Sequence, residues 1–343
     1  ATQFKIAYPG FEKQRFISTI FDDRWSQKEL KARLTFIAQT LHQFLPQNFK
    51  QSTDILKQVA PHFSSYEAMF FPAFIELYGV DDYQTSIEAL AVLTQFSSAE
   101  FAVRPFIIKY PEKMMAQMLE WASDDNYHIR RLASEGCRPR LPWACALPDF
   151  KRDPTMILPI LEKLKDDNED YVYRSVANNL NDISKDNPQV VVNIAQDWMQ
   201  GAPSKNRIWL VKHACRGLLK SAQPAVLTLF GFASPEHIQL LQLQVDKRVS
   251  LGDKLNFSFL LTSSTALGKC RLEFAIGFMK KNGKQADKIF KISESEISAN
   301  KKSFHKQFSF KAISTRKYYP GTHQLSIILN GVKMATQDFE LTD

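Results

Sequence analysis

Apolar positions recur with a helical period from about residue 12 to 232, and with a period of two after Pro235. In TSIEALAVLTQF (85–96), Ile87, Leu90, Ala91, Val92 and Leu93 fall at helical spacing. PEKMMAQMLEWA (111–122) opens on a proline suited to a first helical turn and continues with Met114, Met115, Met118 and Leu119. DPTMILPILEKLK (153–165) opens on Asp153-Pro154, read as an N-cap followed by a first-turn proline. Beyond Pro235, LLQLQVDKRVSLGDKLNFSFLLTSS (240–264) alternates, and CRLEFAIGFMKKNGKQADKIFKIS (270–293) reads as two strands around an Asn282-Gly283 turn. SFHKQFSFKAIS and YYPGTHQLSIILNGVKMATQDFEL supply three or so more. About seven short strands suggest an Ig-like sandwich, although the Cys-Trp-Cys spacing of antibody domains is absent.

The helical part repeats. LEWASDDNYHIRR (119–131) is similar to LEKLKDDNEDYVYR (161–174), with the Asp-Asp-Asn motifs 42 residues apart. NRIWLVKHACRGLLKSAQP (206–224) echoes YVYRSVANNLNDISKDNP (171–188). A period near 40 built from helix pairs predicts HEAT-like repeats, whose second helices line the binding face. The expected fold is therefore multidomain, α then β: a HEAT-like α-solenoid over 1–234 and an Ig-like β-sandwich over 235–343.

Charge then separates the two parts. Residues 1–234 hold 27 Lys and Arg against 26 Asp and Glu, whereas 235–343 hold 17 against 10, so the β region carries most of the net +8. That bias favours an anionic partner. Lys280, Lys281, Lys284, Lys301 and Lys302 read equally well as a grip on that partner or as a solvated edge. Cys137, Cys145, Cys215 and Cys270 lack paired spacing and read as reduced thiols, with no disulfide frame and no zinc site. No apolar run is long enough for a membrane span, and no secretory signal is evident. Nucleotide-binding glycine loops, HExxH and GxSxG are all absent, so neither cofactor nor metal is expected.

The densest chemistry lies in RRLASEGCRPRLPWACALP (130–148). Arg130, Arg131, Arg138 and Arg140 surround Glu135, and Leu141-Pro142-Trp143 follows. Polar residues on the candidate inner helices fall four apart: Arg131 and Glu135, Glu100 and Arg104, and the series Arg174, Asn178, Asp182. His213 and Arg216 could share a face. Taken singly, such a Glu–Arg pair is usually a solvated helix bridge, Trp143 is packing, and His213 is a satisfied helix residue. Their coincidence in one repeat stack points instead to a surface for an anionic polymer that keeps its acids.

RRLASEGCRPRLPW closely resembles the signature of the AlkC branch of the AlkC/AlkD family of DNA alkylation repair glycosylases. FSSAEFAVRPF (96–106), DDNEDYVYRSVANNLNDISKDNP (166–188) and VKHACRGLLKSAQPAVLTLFG (211–231) resemble further family blocks in the same order. The β region resembles the extra Ig-like domain of one subgroup. The resemblance implies a monofunctional glycosylase that removes cationic alkylated bases, 3-methyladenine and 3-methylcytosine, from double-stranded DNA. It marks Glu100, Glu135, Trp143 and Asp182 as active-site positions, with nearby arginines on the DNA backbone. The residues agree: a carboxylate can steady an oxocarbenium-like sugar and orient water. Arg130, Arg131, Arg138, Arg140, Lys151, Arg152 and Arg174 can meet phosphates, with Asn178, His213 and Arg216 extending that surface. The expected protein is a cytoplasmic, nucleoid-associated bacterial monomer with no membrane partner. The rival reading is a non-catalytic HEAT-repeat DNA-binding or scaffold protein.

Overall fold

The structure, a computed structural model, describes residues 1–23 and 25–343. Sixteen α-helices precede eight strands among these residues. The first six helices are α1 (Thr2–Ala7), α2 (Lys13–Ile20), α3 (Leu30–Phe44), α4 (Phe49–Val59), α5 (Phe70–Tyr78) and α6 (Tyr83–Leu93). Then come α7 (Arg104–Lys109), α8 (Pro111–Trp121), α9 (Tyr127–Gly136), α10 (Pro148–Arg152), α11 (Leu158–Leu164) and α12 (Asp170–Ile183). The last four are α13 (Pro188–Trp198), α14 (Lys205–Ala214), α15 (Arg216–Lys220) and α16 (Pro224–Leu229). Compact packing divides the chain at Cys215/Arg216, earlier than the sequence boundary at 234/235.

In the first unit the helix pairs follow the repeat: α8 with α9, α11 with α12, α13 with α14. The second helices lie side by side, with α12 packed against both α9 and α14. This is the HEAT-like solenoid. Prolines open α8 and α13, where a missing N–H costs nothing. Side-chain caps from Asp82, Asn126 and Ser204 start α6, α9 and α14. The proline-led start expected at 153–154 is displaced. Asp153 Oδ1 accepts from Thr155 N, bending Pro154–Ile157 into a turn, and α11 begins only at Leu158. One face of α12 buries Val172, Val176, Leu180 and Ile183, each contributing about 1.5–3 kcal/mol. Polar groups fix its register on α9. The Ser134 and Ser175 hydroxyls meet at 2.7 Å, and Asn179 Nδ2 donates to the Ser134 carbonyl at 2.7 Å.

The second unit contains the Ig-like domain. Its strands are β1 (Ile238–Val245), β2 (Arg248–Ser250), β3 (Lys254–Ser263), β4 (Gly268–Met279), β5 (Gln285–Ile297), β6 (Lys301–Ser309), β7 (Gly321–Leu329) and β8 (Val332–Thr342). They form a three-stranded sheet, β1-β3-β6, and a five-stranded sheet, β2-β8-β7-β4-β5. Leu255, Phe257, Phe259 and Leu261 alternate inward from β3 and share a core with Phe274, Phe278, Phe304 and Phe310. The Asn282-Gly283 turn joins β4 to β5, inside a longer loop closed by Lys280 and Lys284. A tighter hairpin joins β7 to β8 at Asn330-Gly331, where φ values of 47° and 84° give the two left-handed residues of a type I′ turn. Helices α15 and α16 belong with this domain because Ala222 and Leu227 crowd Gly331, and Asn330 Nδ2 reaches the Ala233 carbonyl.

Candidate active site

Helix α9 ends where the chemistry begins. Its buried face carries Ile129, Leu132, Ala133 and Gly136, while Arg131 and Glu135 sit one turn apart on the polar side. Gly136 is required for packing. A methyl there would lie 2.5 Å from Val103 Cγ2 and 2.9 Å from Met118 Cε. Gly136→Ala should therefore cost about 1–3 kcal/mol through overpacking, read as a lower urea midpoint with an unchanged m-value.

After Gly136 the chain runs through Arg138, Pro142 and Trp143 to α10. Arg104, fully buried at the start of α7, holds this loop at both ends. Its Nε donates to the Cys145 carbonyl at 2.6 Å, and one terminal nitrogen donates to the Gly136 and Arg138 carbonyls at 2.9 Å each. Glu100 and Arg104, read from their spacing as one polar helix face, point apart: Glu100 bonds Arg131, and Arg104 bonds the loop carbonyls. Glu100 precedes α7, in turns that lead into the helix.

A cleft of about 600 Å³ opens beside the loop, lined by Glu100, Glu135, Arg131, Arg138, His128, Tyr171 and Trp143 among others. Trp143 is 72 % exposed and has a left-handed backbone, φ 64°, a conformation costing roughly 1–2 kcal/mol outside glycine. Acids and guanidiniums alternate through the site. Glu100 bonds Arg131 and accepts from Ser98 Oγ at 2.9 Å. Arg131 also lies 3.4 Å from Glu135 Oε1, the same oxygen that accepts from Arg138 at 2.6 Å. Arg138 Nε reaches Asp182 Oδ2 at 2.9 Å, and Lys185 meets the other Asp182 oxygen at 3.0 Å. Burial alone pulls the Arg131 and Arg138 pKa values down, but the flanking carboxylates outweigh it and raise both. Glu135 Oε2 is buried and accepts no hydrogen bond from the protein. Burial first, and then Arg131, lower the His128 pKa. The neighbouring Cys137 thiol is pushed up to about 12 by burial and is no nucleophile.

Three of the four residues marked as active-site positions thus line one cleft: Glu100, Glu135 and Trp143. Asp182 does not line it; it stands behind Arg138 with both oxygens engaged. The arginine cluster also differs from expectation. Arg130 grips Asp167 through two nitrogens and donates to the Asp124 and Asp125 carbonyls. Arg130 and Arg131 are half-buried and Arg138 is buried, and all three are engaged by carboxylates of the protein itself. Arg140 pairs with Asp186 at a half-exposed position. Arg152 and Arg174 are exposed and pair with Asp149 and Asp170 on their own helices. Lys151 is half-buried, and Arg216 is exposed in the second unit. His213 meets Asn178 at 3.2 Å and stacks on Trp209, whose ring also lies 5.2 Å from the Arg174 guanidinium. Sequence reasoning missed Tyr171, Ser98 and His128, and it placed Arg104 on a polar face instead of in the core. The partners of the arginines lie roughly one repeat away in the chain: Arg130 with Asp167, Arg138 with Asp182, Arg140 with Asp186, Arg207 with Asp166. That spacing is the signal that would have found them.

Among the described residues no set of three metal-ligating side chains converges, and no helix is long and apolar enough to cross a membrane. All four cysteines are free, with Cys145 exposed.

A helix-repeat unit with acids in a basic cleft, followed by an Ig-like domain, defines a class of DNA alkylation repair proteins. Residues 90–216 match the family described as DNA alkylation repair enzyme, and residues 239–343 match the C-terminal Ig-like domain of YhaZ. The uncharacterized protein YhaZ of Bacillus subtilis (strain 168) is 44 % identical over 339 residues, covering 98 % of this chain and 94 % of that protein. The alkylpurine DNA glycosylase AlkC of Pseudomonas fluorescens, solved bound to DNA containing an abasic-site analogue, superposes with a TM-score of 0.94. It is 33 % identical, and the match covers 100 % of this chain and 96 % of that one. The chain belongs to the AlkC branch of the DNA alkylation repair family, in the subgroup with a C-terminal Ig-like domain.

Proposed function

We propose that this protein is a monofunctional DNA glycosylase. It hydrolyses the N-glycosidic bond of cationic alkylated bases in duplex DNA, with 3-methyladenine and 3-methylcytosine as its substrates. The observation that carries this reading is Glu135, a residue that lines the cleft: its Oε1 is fixed by two guanidiniums, and its buried Oε2 has no protein partner. An alkylated ring is already positive, so it departs as a neutral base with the bond electrons and needs no strong acid. The sugar left behind is oxocarbenium-like. Glu135, with Glu100 beside it, stabilises that charge. Water adds at C1′ and gives its proton to the Glu135 carboxylate. Trp143 can stack on the sugar or the cationic ring, worth about 0.5–2 kcal/mol. Asp182 acts through Arg138 and is a positioning residue. The likeness to AlkC over the whole chain supports the same class of substrate.

Arg140, Lys151, Arg152 and Arg174 are the proposed phosphate contacts of the first unit, with Asn178 and His213 as candidates there; Arg216 is a separate candidate in the second unit. Arg152→Ala and Arg174→Ala should each weaken binding alike on all sequences and reduce the log–log salt slope by about 0.9. Titration of duplex DNA at several salt concentrations reads this directly. The test of function is base release from methylated duplex DNA, comparing the parent chain with Glu135→Gln and Asp182→Asn, with mass analysis of the freed bases. Release of 3-methyladenine or 3-methylcytosine that collapses in Glu135→Gln supports the glycosylase. Absence of release, with salt-sensitive binding retained, would leave a non-catalytic DNA-binding repeat protein.

A further inference from the structure

We infer that Lys31, on α3, is a positioning residue for Trp143, and that the N-terminal helices thereby set the geometry of the catalytic loop. The inference rests on the glycosylase reading for its catalytic consequence, but not for its structural content. Lys31 Nζ donates to the Trp143 carbonyl at 2.7 Å, across 112 positions of sequence. That carbonyl belongs to a residue with φ of 64°, which an L side chain adopts only when its surroundings hold it there. Arg104 fixes the loop on both sides, at Arg138 and Cys145, but bonds nothing on Trp143 itself. The indole is largely exposed, so packing does not hold it; a turn does in part, closed by Ala144 N donating to the Leu141 carbonyl at 3.3 Å around Pro142 and Trp143.

The position of Lys31 is itself determined. Its ammonium lies 4.8 Å from the centre of the Phe101 ring, next to Glu100 in the chain. Glu76 on α5 lines the same small cavity as Lys31, Ser98 and Phe101. Burial raises the Glu76 carboxyl, and the charge of Lys31 pulls it back. One amine therefore ties α3, the loop before α7 and the Trp143 loop together. A charge-assisted bond to a carbonyl is the strong kind, suited to holding an unfavourable backbone conformation. Without it only the 3.3 Å turn bond supports the left-handed conformation of Trp143, and the ring shifts at the edge of the cleft.

The test uses the full chain labelled with 5-fluorotryptophan. Its five tryptophans give five fluorine resonances, and Trp143→Phe assigns that of Trp143. Lys31→Met should shift or broaden the Trp143 resonance while leaving the other four unchanged. Base release should fall about tenfold in kcat, at unchanged DNA affinity. Lys31→Arg, which can still donate to the carbonyl, should restore both signals. An unmoved Trp143 resonance in Lys31→Met overturns the inference, as does failure of Lys31→Arg to restore it. Lys31 is exposed, so its replacement leaves the core intact. The resonance reports on the brace even if the parent chain releases no base, so failure of the brace and failure of the glycosylase reading are distinguishable.

Discussion

Glu135→Gln is expected to release methylated bases at least about a hundredfold more slowly than the parent chain, a loss of about 2.7 kcal/mol of transition-state stabilisation. Its affinity for the same duplex should stay within about twofold. The two halves of this expectation follow from the same geometry. Glutamine keeps the shape of the side chain and an oxygen for Arg138, but removes the negative charge where the sugar becomes positive. Preorganised charge in a dry site acts more strongly than in water, which sets the size of the effect. Neither arginine is stranded by the change, because Arg131 keeps Glu100 and Arg138 keeps Asp182. The fold should therefore survive, and circular dichroism of the variant checks that it does. Exposed Arg152 and Arg174, not the Glu135 network, are proposed to set DNA affinity. A decrease smaller than tenfold would remove Glu135 from its principal role and return the choice to Glu100.

Arg104→Met should destabilise the first unit by about 4 kcal/mol, measured by urea unfolding. Three carbonyl oxygens, of Cys145, Gly136 and Arg138, accept from this one buried guanidinium. Bonds to charged donors contribute about 1.5–3 kcal/mol each and do not add fully. Methionine fills much of the volume but offers no donor. The carbonyls must then find water, and the loop between α9 and α10 must open to admit it. Burial lowers the pKa of Arg104, which reflects the cost of its charge there. Those bonds are what offset that cost. A change under about 1 kcal/mol would show that water enters without disturbing the loop.

Much of the architecture was legible in the chain. The repeat near 40 residues gave the helix pairs, and the switch of period after Pro235 gave the β domain, because both follow from local periodicity. The start of α11 was misplaced because an Asx turn at Asp153 competes with an N-cap and uses the same residue types. In the site, Glu135 and Trp143 stood out because one short segment carries them. The partners of the arginines did not stand out. Helical spacing gives the direction of a side chain, but not whether an acid from the next repeat waits there. Four arginines close together therefore read as a phosphate surface, and nothing in the chain signals that Arg130, Arg131 and Arg138 also pair with acids of neighbouring repeats and of the cleft. Lys31 was invisible for the same reason at longer range, since its partner is a backbone carbonyl that leaves no mark in the sequence.

The two Asn-Gly turns of the Ig-like domain differ in chemical lifetime. Deamidation requires the glycine nitrogen to attack the asparagine side-chain carbonyl, so an immobilised side chain ages slowly. Asn330 is buried, its oxygen accepts from Arg271 N, and its amide donates to the Ala233 and Lys269 carbonyls. Asn282 is exposed and makes a single bond, to Lys284 N. Storage of the protein should therefore convert Asn282 first. A new carboxylate would then appear between Lys281 and Lys284, at the tip of the hairpin where this domain concentrates positive charge.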